Sequence, residues 1–135
     1  MSIHPQYAHG ILAGTKTVEF RKRRLADDVT HVVVYATAPV SAVVGAFEIE
    51  AQHTLDPTTL WETFQAVAGI SRDGFFSYFA GRPHGTGIEV REAVAFDAPL
   101  SLLDDFEVKH PPQSFQYLAE HHARRTLAGM ATASA

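Results

Sequence analysis

A chain of 135 residues fits one domain and is long enough to bury a core without covalent staples. Hydrophobic residues make up 46% and charged residues 19%, a globular balance, and the absence of cysteine excludes disulfides, thiolate nucleophiles and cysteine-based zinc sites. A net charge of −4 argues against a long electrostatic track for duplex nucleic acid, so any such contact is expected to be local to the one dense cationic cluster, Lys16, Arg21, Lys22, Arg23 and Arg24.

Residues 1–7 lack a basic stretch leading into an apolar run, so no signal peptide is expected. The apolar runs at 32–38 and 40–47 are too short to span a bilayer, and a cytoplasmic protein is the expectation. Residues 4–13 predict a helix: Pro5 suits its first turn, Gly14 its left-handed end, and Tyr7, Ala8, Ile11 and Leu12 one apolar face. Residues 17–21 alternate strictly, predicting a strand half-buried through Val18 and Phe20, with Glu19 and Arg21 side by side on its polar face.

The β-branched run at 31–36 predicts a strand covered on both sides, broken at Ala38-Pro39. A second long strand is expected over 40–50 with Gly45 at a bend, then a helix opened by Asp56-Pro57 and closed by Gly69. Ser71 should cap a short helix carrying Phe75, Phe76 and Phe79. Residues 81–87 read as a connecting loop that brings Arg82 or His84 to a rim, 88–96 as a strand, and 99–107 as irregular. Pro111-Pro112-Gln113-Ser114 is expected to lead into a terminal helix from 115, with Ser114 as its cap. The sum is one α+β domain over 1–129 built on a small, strongly bent sheet or barrel, with 130–135 a disordered tail.

The informative segment is residues 14–23. Two cations, Lys16 and Arg21, bracket Glu19, and an acid-held Arg21 presents its donors in a fixed plane. The pattern Gly-x-Lys-x-x-Glu-x-Arg after a short helix, met by Gly14, Lys16, Glu19 and Arg21, resembles the signature of ASCH domains. The likeness runs through Ile3-His4-Pro5-x-Tyr7-Ala8, Tyr35-Ala36-Thr37-Ala38-Pro39, Leu60-Trp61, Gly69-Ile70-Ser71 with Tyr78, and Pro112-Gln113-Ser114-Phe115, covering 3–118. It is similar to a prokaryotic ASCH group described as PUA-like transcriptional regulators.

The resemblance implies a PUA-like barrel with a cleft between the first helix and the motif strand. It implies binding of single-stranded RNA, a nucleotide or a modified nucleoside by Lys16, Glu19 and Arg21, with Lys22 and Arg23 on phosphates. Tyr7 is the preferred stacking residue over Tyr35, and Gln113 and Ser114 are candidates for the cleft wall. Some ASCH members are enzymes, ribonucleases among them. In amidohydrolases acting on N4-acylated cytidines the catalytic Lys falls on Lys16, while their catalytic Thr aligns with Glu19; a hydrolase here would use Lys16 and Glu19. No cofactor, metal or membrane partner is expected; a protein partner stays open. The adjacent His121-His122 do not share a helix face, and Glu107 and His110, which have a ligand spacing, fall in a proline-flanked loop.

Overall fold

A computed structural model describes residues 1–119 and 121–122. The boundary expected at 129 and the tail expected over 130–135 lie outside these residues. Five strands form one sheet in the order β1-β3-β4-β5-β2: β1 (Ser2–Ile3), β2 (Val18–Arg21), β3 (His31–Ala36), β4 (Ala42–Leu55) and β5 (Gly85–Leu100). β1 runs parallel to β3, and the other pairs are antiparallel. Strands β4 and β5 form a long hairpin whose connection contains α2 (Pro57–Phe64), a 3-10 turn (Gln65–Val67) and α3 (Arg72–Tyr78).

The sheet is not closed by backbone pairing, so it is a strongly bent sheet rather than a complete barrel. Its edges β1 and β2 are nevertheless brought together by a side chain, since Arg21 Nη2 donates to the carbonyl of Ser2 at 2.8 Å. Bulges along β4, between Val43 and Gly45 and between Glu48 and Ala51, supply part of the curvature. At Gly45 an added Cβ would lie 2.5 Å from the carbonyl oxygen of Val94 and 2.6 Å from Leu12 Cδ2, so the hairpin and α1 (Pro5–Ala13) meet there only over glycine.

Helix α1 begins after His4, whose side chain makes no capping bond, and ends at Gly14 with φ 84. Its Ala8 and Ile11 join Ile3, Val32, Val34, Phe47 and Ile88 in a core under the sheet. A second core packs Val18 and Phe20 of β2 against Leu60 and Phe64 of α2, Phe75 of α3 and Phe79 just beyond it. Asp56 and Ser71 cap these helices by accepting from Thr59 N and Gly74 N, as their positions predict. The expected extension of the first to residue 68 tightens into the 3-10 turn.

Three expectations are corrected. The strand expected over 88–96 starts at Gly85 and runs to Leu100, because Gly85 faces Leu55 across the hairpin and packs on the Phe79 ring, where any Cβ would collide. The segment read as irregular contains α4 (Leu102–Phe106), in which Ser101 Oγ accepts from Asp104 N and Asp105 Oδ2 accepts from Ser101 N. Residues 115–119 are not helical. They follow a stretch laid against the sheet edge, where Ser2 N donates to Ser114 O at 2.8 Å and Ser2 Oγ to Pro112 O at 2.7 Å. Phe115 and Leu118 then pack into different cores, which one helix face would not allow. No helix of the described residues is long and apolar enough to cross a membrane.

Candidate nucleic-acid cleft

All four residues of β2 are buried, including the two charged ones. The face expected to be polar is therefore the floor of a cleft of about 750 Å³, walled by α1, the 113–115 segment, and Phe75 and Tyr78 of α3. Tyr7, Lys16, Glu19, Arg21, Lys22, Arg23, Gln113 and Ser114 all line it. Arg82 does so too, whereas His84 does not, and Tyr35 lies in the opposite core. Among the described residues Glu19 is the cleft's one carboxylate, set against five cationic side chains, Lys16, Arg21, Lys22, Arg23 and Arg82. The cleft is thus positive on a chain whose net charge is −4.

Lys16 is 2% exposed. Its stem passes between the backbones of Gly10 and Gly69; a Cβ on Gly69, at φ 62, would sit 2.8 Å from the lysine Cβ and Cγ. Nζ donates to the carbonyl of Ala68, lies 3.7 Å from Glu19 Oε1, and sits 5.4 and 5.2 Å from the ring centroids of Tyr7 and Phe20. Burial pushes its pKa below the ordinary lysine value; Glu19 pulls it back up and Arg21 presses it down further. An ammonium carries three donors, so the carbonyl and the long contact to Glu19 leave capacity for a ligand between the two rings.

Glu19 is more fully engaged. Oε1 accepts from Phe20 N at 3.2 Å and Oε2 from Arg21 Nη2 at 3.0 Å. Arg21 also reaches Ser2 O through Nη2 and Ser114 Oγ through Nη1 at 3.2 Å, leaving a buried Nε–H with no partner among the described residues. Ser114, read from the sequence as a helix cap, has no helix to cap and instead accepts from Arg21. Glu19 and Arg21 form a clasp across β2, β1 and the 113–115 segment, and Lys16 is the group they leave facing the cavity.

At the mouth the two cations diverge. Lys22 Nζ lies 4.9 Å from the Tyr78 ring centroid and the Arg23 guanidinium 5.1 Å from that of Phe115, one against each wall. Sequence reasoning missed Tyr78, although it belongs to a block that carries the family resemblance, and missed Thr37 and Ser2 in the lining. The Ala68 carbonyl had no signal except the glycine after it, because a backbone acceptor leaves no side-chain mark.

A strongly bent five-stranded sheet with this motif strand on the floor of a cationic cleft defines an ASCH-type α+β domain. The chain belongs to the ASCH family: it is 31% identical over 131 residues to an ASCH domain-containing ribonuclease of Zymomonas mobilis, covering 94% of this chain and 88% of that protein. The crystal structure of an ASCH protein from Zymomonas mobilis superposes with a TM-score of 0.84 at 30% identity over 95% of this chain and 92% of that one. A serine-to-alanine variant of that protein gives 0.86 over the same shares. A stretch of large ribosomal subunit protein uL22 from Ureaplasma parvum is 27% identical over 103 residues, 76% of this chain and 33% of that protein. No family model matches the chain.

Proposed function

We propose that the chain is an RNA-binding ASCH module of the cytoplasm that takes an unpaired nucleotide of single-stranded RNA into the Lys16 cleft. The observation that carries this reading is the convergence of Tyr7, Lys16, Arg21, Lys22, Arg23, Gln113 and Ser114 on one cavity in an otherwise acidic chain. Its volume of about 750 Å³ suits a base with its sugar, and Tyr7 supplies an aromatic wall. Lys16 donates to a base carbonyl or phosphate oxygen, Lys22 and Arg23 meet the flanking phosphates, and the Glu19–Arg21 clasp holds Lys16 in place. A free nucleotide or modified nucleoside is held by the same contacts, and a regulatory role follows through the RNA it retains.

A second reading is favoured by the depressed lysine and by the Zymomonas relative named a ribonuclease. In it the neutral fraction of Lys16 takes the proton of a 2′-hydroxyl, whose oxygen attacks the adjacent phosphorus. The bond to the 5′-oxygen breaks and that oxygen takes a proton from water. Burial then lowers the proton affinity of Lys16, and Glu19 partly restores it.

The test is binding of short fluorescent single-stranded RNAs, a matching duplex, nucleotides and acylated cytidines to the wild type and to Lys16→Ala, with each ligand recovered afterwards. Single-strand binding weakened at least tenfold in Lys16→Ala, with RNA recovered intact, supports the module. RNA shortened by the wild type and not by the variant supports cleavage. A wild type that binds no RNA or nucleotide overturns both.

A further inference from the structure

We propose a transition-metal site, separate from the cleft, formed by Glu107, His121 and His122. The helix expectation set the two histidines on different faces, yet their rings lie 3.9 Å apart between centroids. One ligating atom from each of the three residues lies within 4.8 Å of the others. None of the three lines the charged cleft.

The chain is shaped around this group at two points. α4 ends on Glu107 with φ 58, a left-handed conformation that non-glycine residues adopt seldom, and the turn brings its carboxylate back toward residues 121–122. The His122 imidazole is 9% exposed and lies against Phe106, itself part of a core, with ring centroids 5.7 Å apart. Its Nε2 is 3.8 Å from Glu107 Oε2. Zinc holds imidazole nitrogen and carboxylate oxygen at about 2.0–2.2 Å, so tetrahedral ligand atoms stand about 3.4 Å apart. The Glu107–His122 pair stands within a few tenths of an ångström of that spacing, and the His121 nitrogen, within 4.8 Å of the other two ligand atoms, closes the set by side-chain rotation.

Two imidazoles and one carboxylate select zinc, cobalt or nickel over magnesium or calcium, which prefer all-oxygen shells. Three protein ligands leave a fourth position for water, and Glu107 and His121 are exposed, so an ion reaches the site from solvent. The ion would tie the end of α4 to the 121–122 segment and make the stability of the chain depend on metal.

The experiment titrates metal-free protein with cobalt, followed by zinc, and reads the cobalt visible spectrum and the melting temperature. The expected result is one equivalent of cobalt with the intense bands of a four- or five-coordinate ion, displaced by zinc. Saturating zinc should raise Tm by at least about 4 °C. Glu107→Gln and His121→Ala, both at exposed positions, should each weaken cobalt binding at least tenfold while circular dichroism stays unchanged. His110→Ala should bind like the wild type and serves as the control for the other histidines. A six-coordinate aquo-like spectrum, or affinity unchanged in both Glu107→Gln and His121→Ala, overturns the site.

Discussion

Lys16 brings a charge to a place where 98% of its surface is withdrawn from water, and its partners only partly offset that cost. Because its pKa in the fold lies below the ordinary 10.5, the unfolded chain holds a proton that the folded chain has shed between the two values. Stability contributed through this group therefore rises with pH across that window, and the penalty is complete below it. Urea midpoints at pH 7 and pH 10 should show the wild type gaining on Lys16→Met as pH rises; a constant gap between the two would refute the burial of a strained ammonium. Glu19 has the opposite role. It is 6% exposed and sits between two cations, so Glu19→Gln leaves Lys16 and Arg21 without their counter-charge. The expected loss is about 3–5 kcal/mol of unfolding free energy, measured by urea denaturation. The types and spacing of these three residues were legible in the motif. That Arg21 serves as the clasp and Lys16 as the free donor was not, because Ser2, Ala68 and Ser114 reach the site from distant parts of the chain.

Elements with a strong local period were placed correctly although packing moved some of their ends, and those set by packing alone were not. The strand at 31–36 formed where expected, and the helices opened by Asp56 and Ser71 start where their caps predict, the first ending at Phe64 rather than at Gly69. α4 is only five residues long, with two consecutive aspartates that are poor helix formers, and its serine–aspartate cap was the one signal available. The 115–118 segment has helical spacing but lies beyond a stretch hydrogen-bonded to β1, which draws its side chains to two cores. The hairpin of β4 and β5 makes its own test. Gly45→Ala should cost about 1–3 kcal/mol, since the new methyl meets the Val94 carbonyl and the Leu12 side chain, and thermal melts would measure it. A neutral result would mean that α1 does not press on the hairpin at that point.

Over the whole molecule, charge is distributed against its net sign. The chain carries −4, yet the cleft gathers Lys16, Arg21, Lys22, Arg23 and Arg82 around a single carboxylate. Binding of single-stranded RNA should therefore fall with salt, but with a shallow slope set by few phosphates, at about 0.7 per phosphate neutralised. Lys22 is exposed at the mouth, so Lys22→Ala should leave the fold intact and reduce the slope by about 0.7 in affinities measured across a salt series. A steep slope would require a second track of cations elsewhere on the surface.

By itself the sequence determined that an α+β fold forms, that the motif sets Lys16 just ahead of a strand carrying Glu19 and Arg21, and that its cations gather in one short segment. Each of these follows from composition, period-two alternation or residue identity within a few positions. Only the tertiary structure decided that the sheet stays open yet is clasped by Arg21, and that both faces of β2 are buried. It also decided that Gln113 and Ser114 line the same cleft as Tyr7, and that Glu107 meets His121 and His122. These depend on where residues far apart in the chain come to rest, and that is set by summed burial and hydrogen bonding rather than by any local pattern.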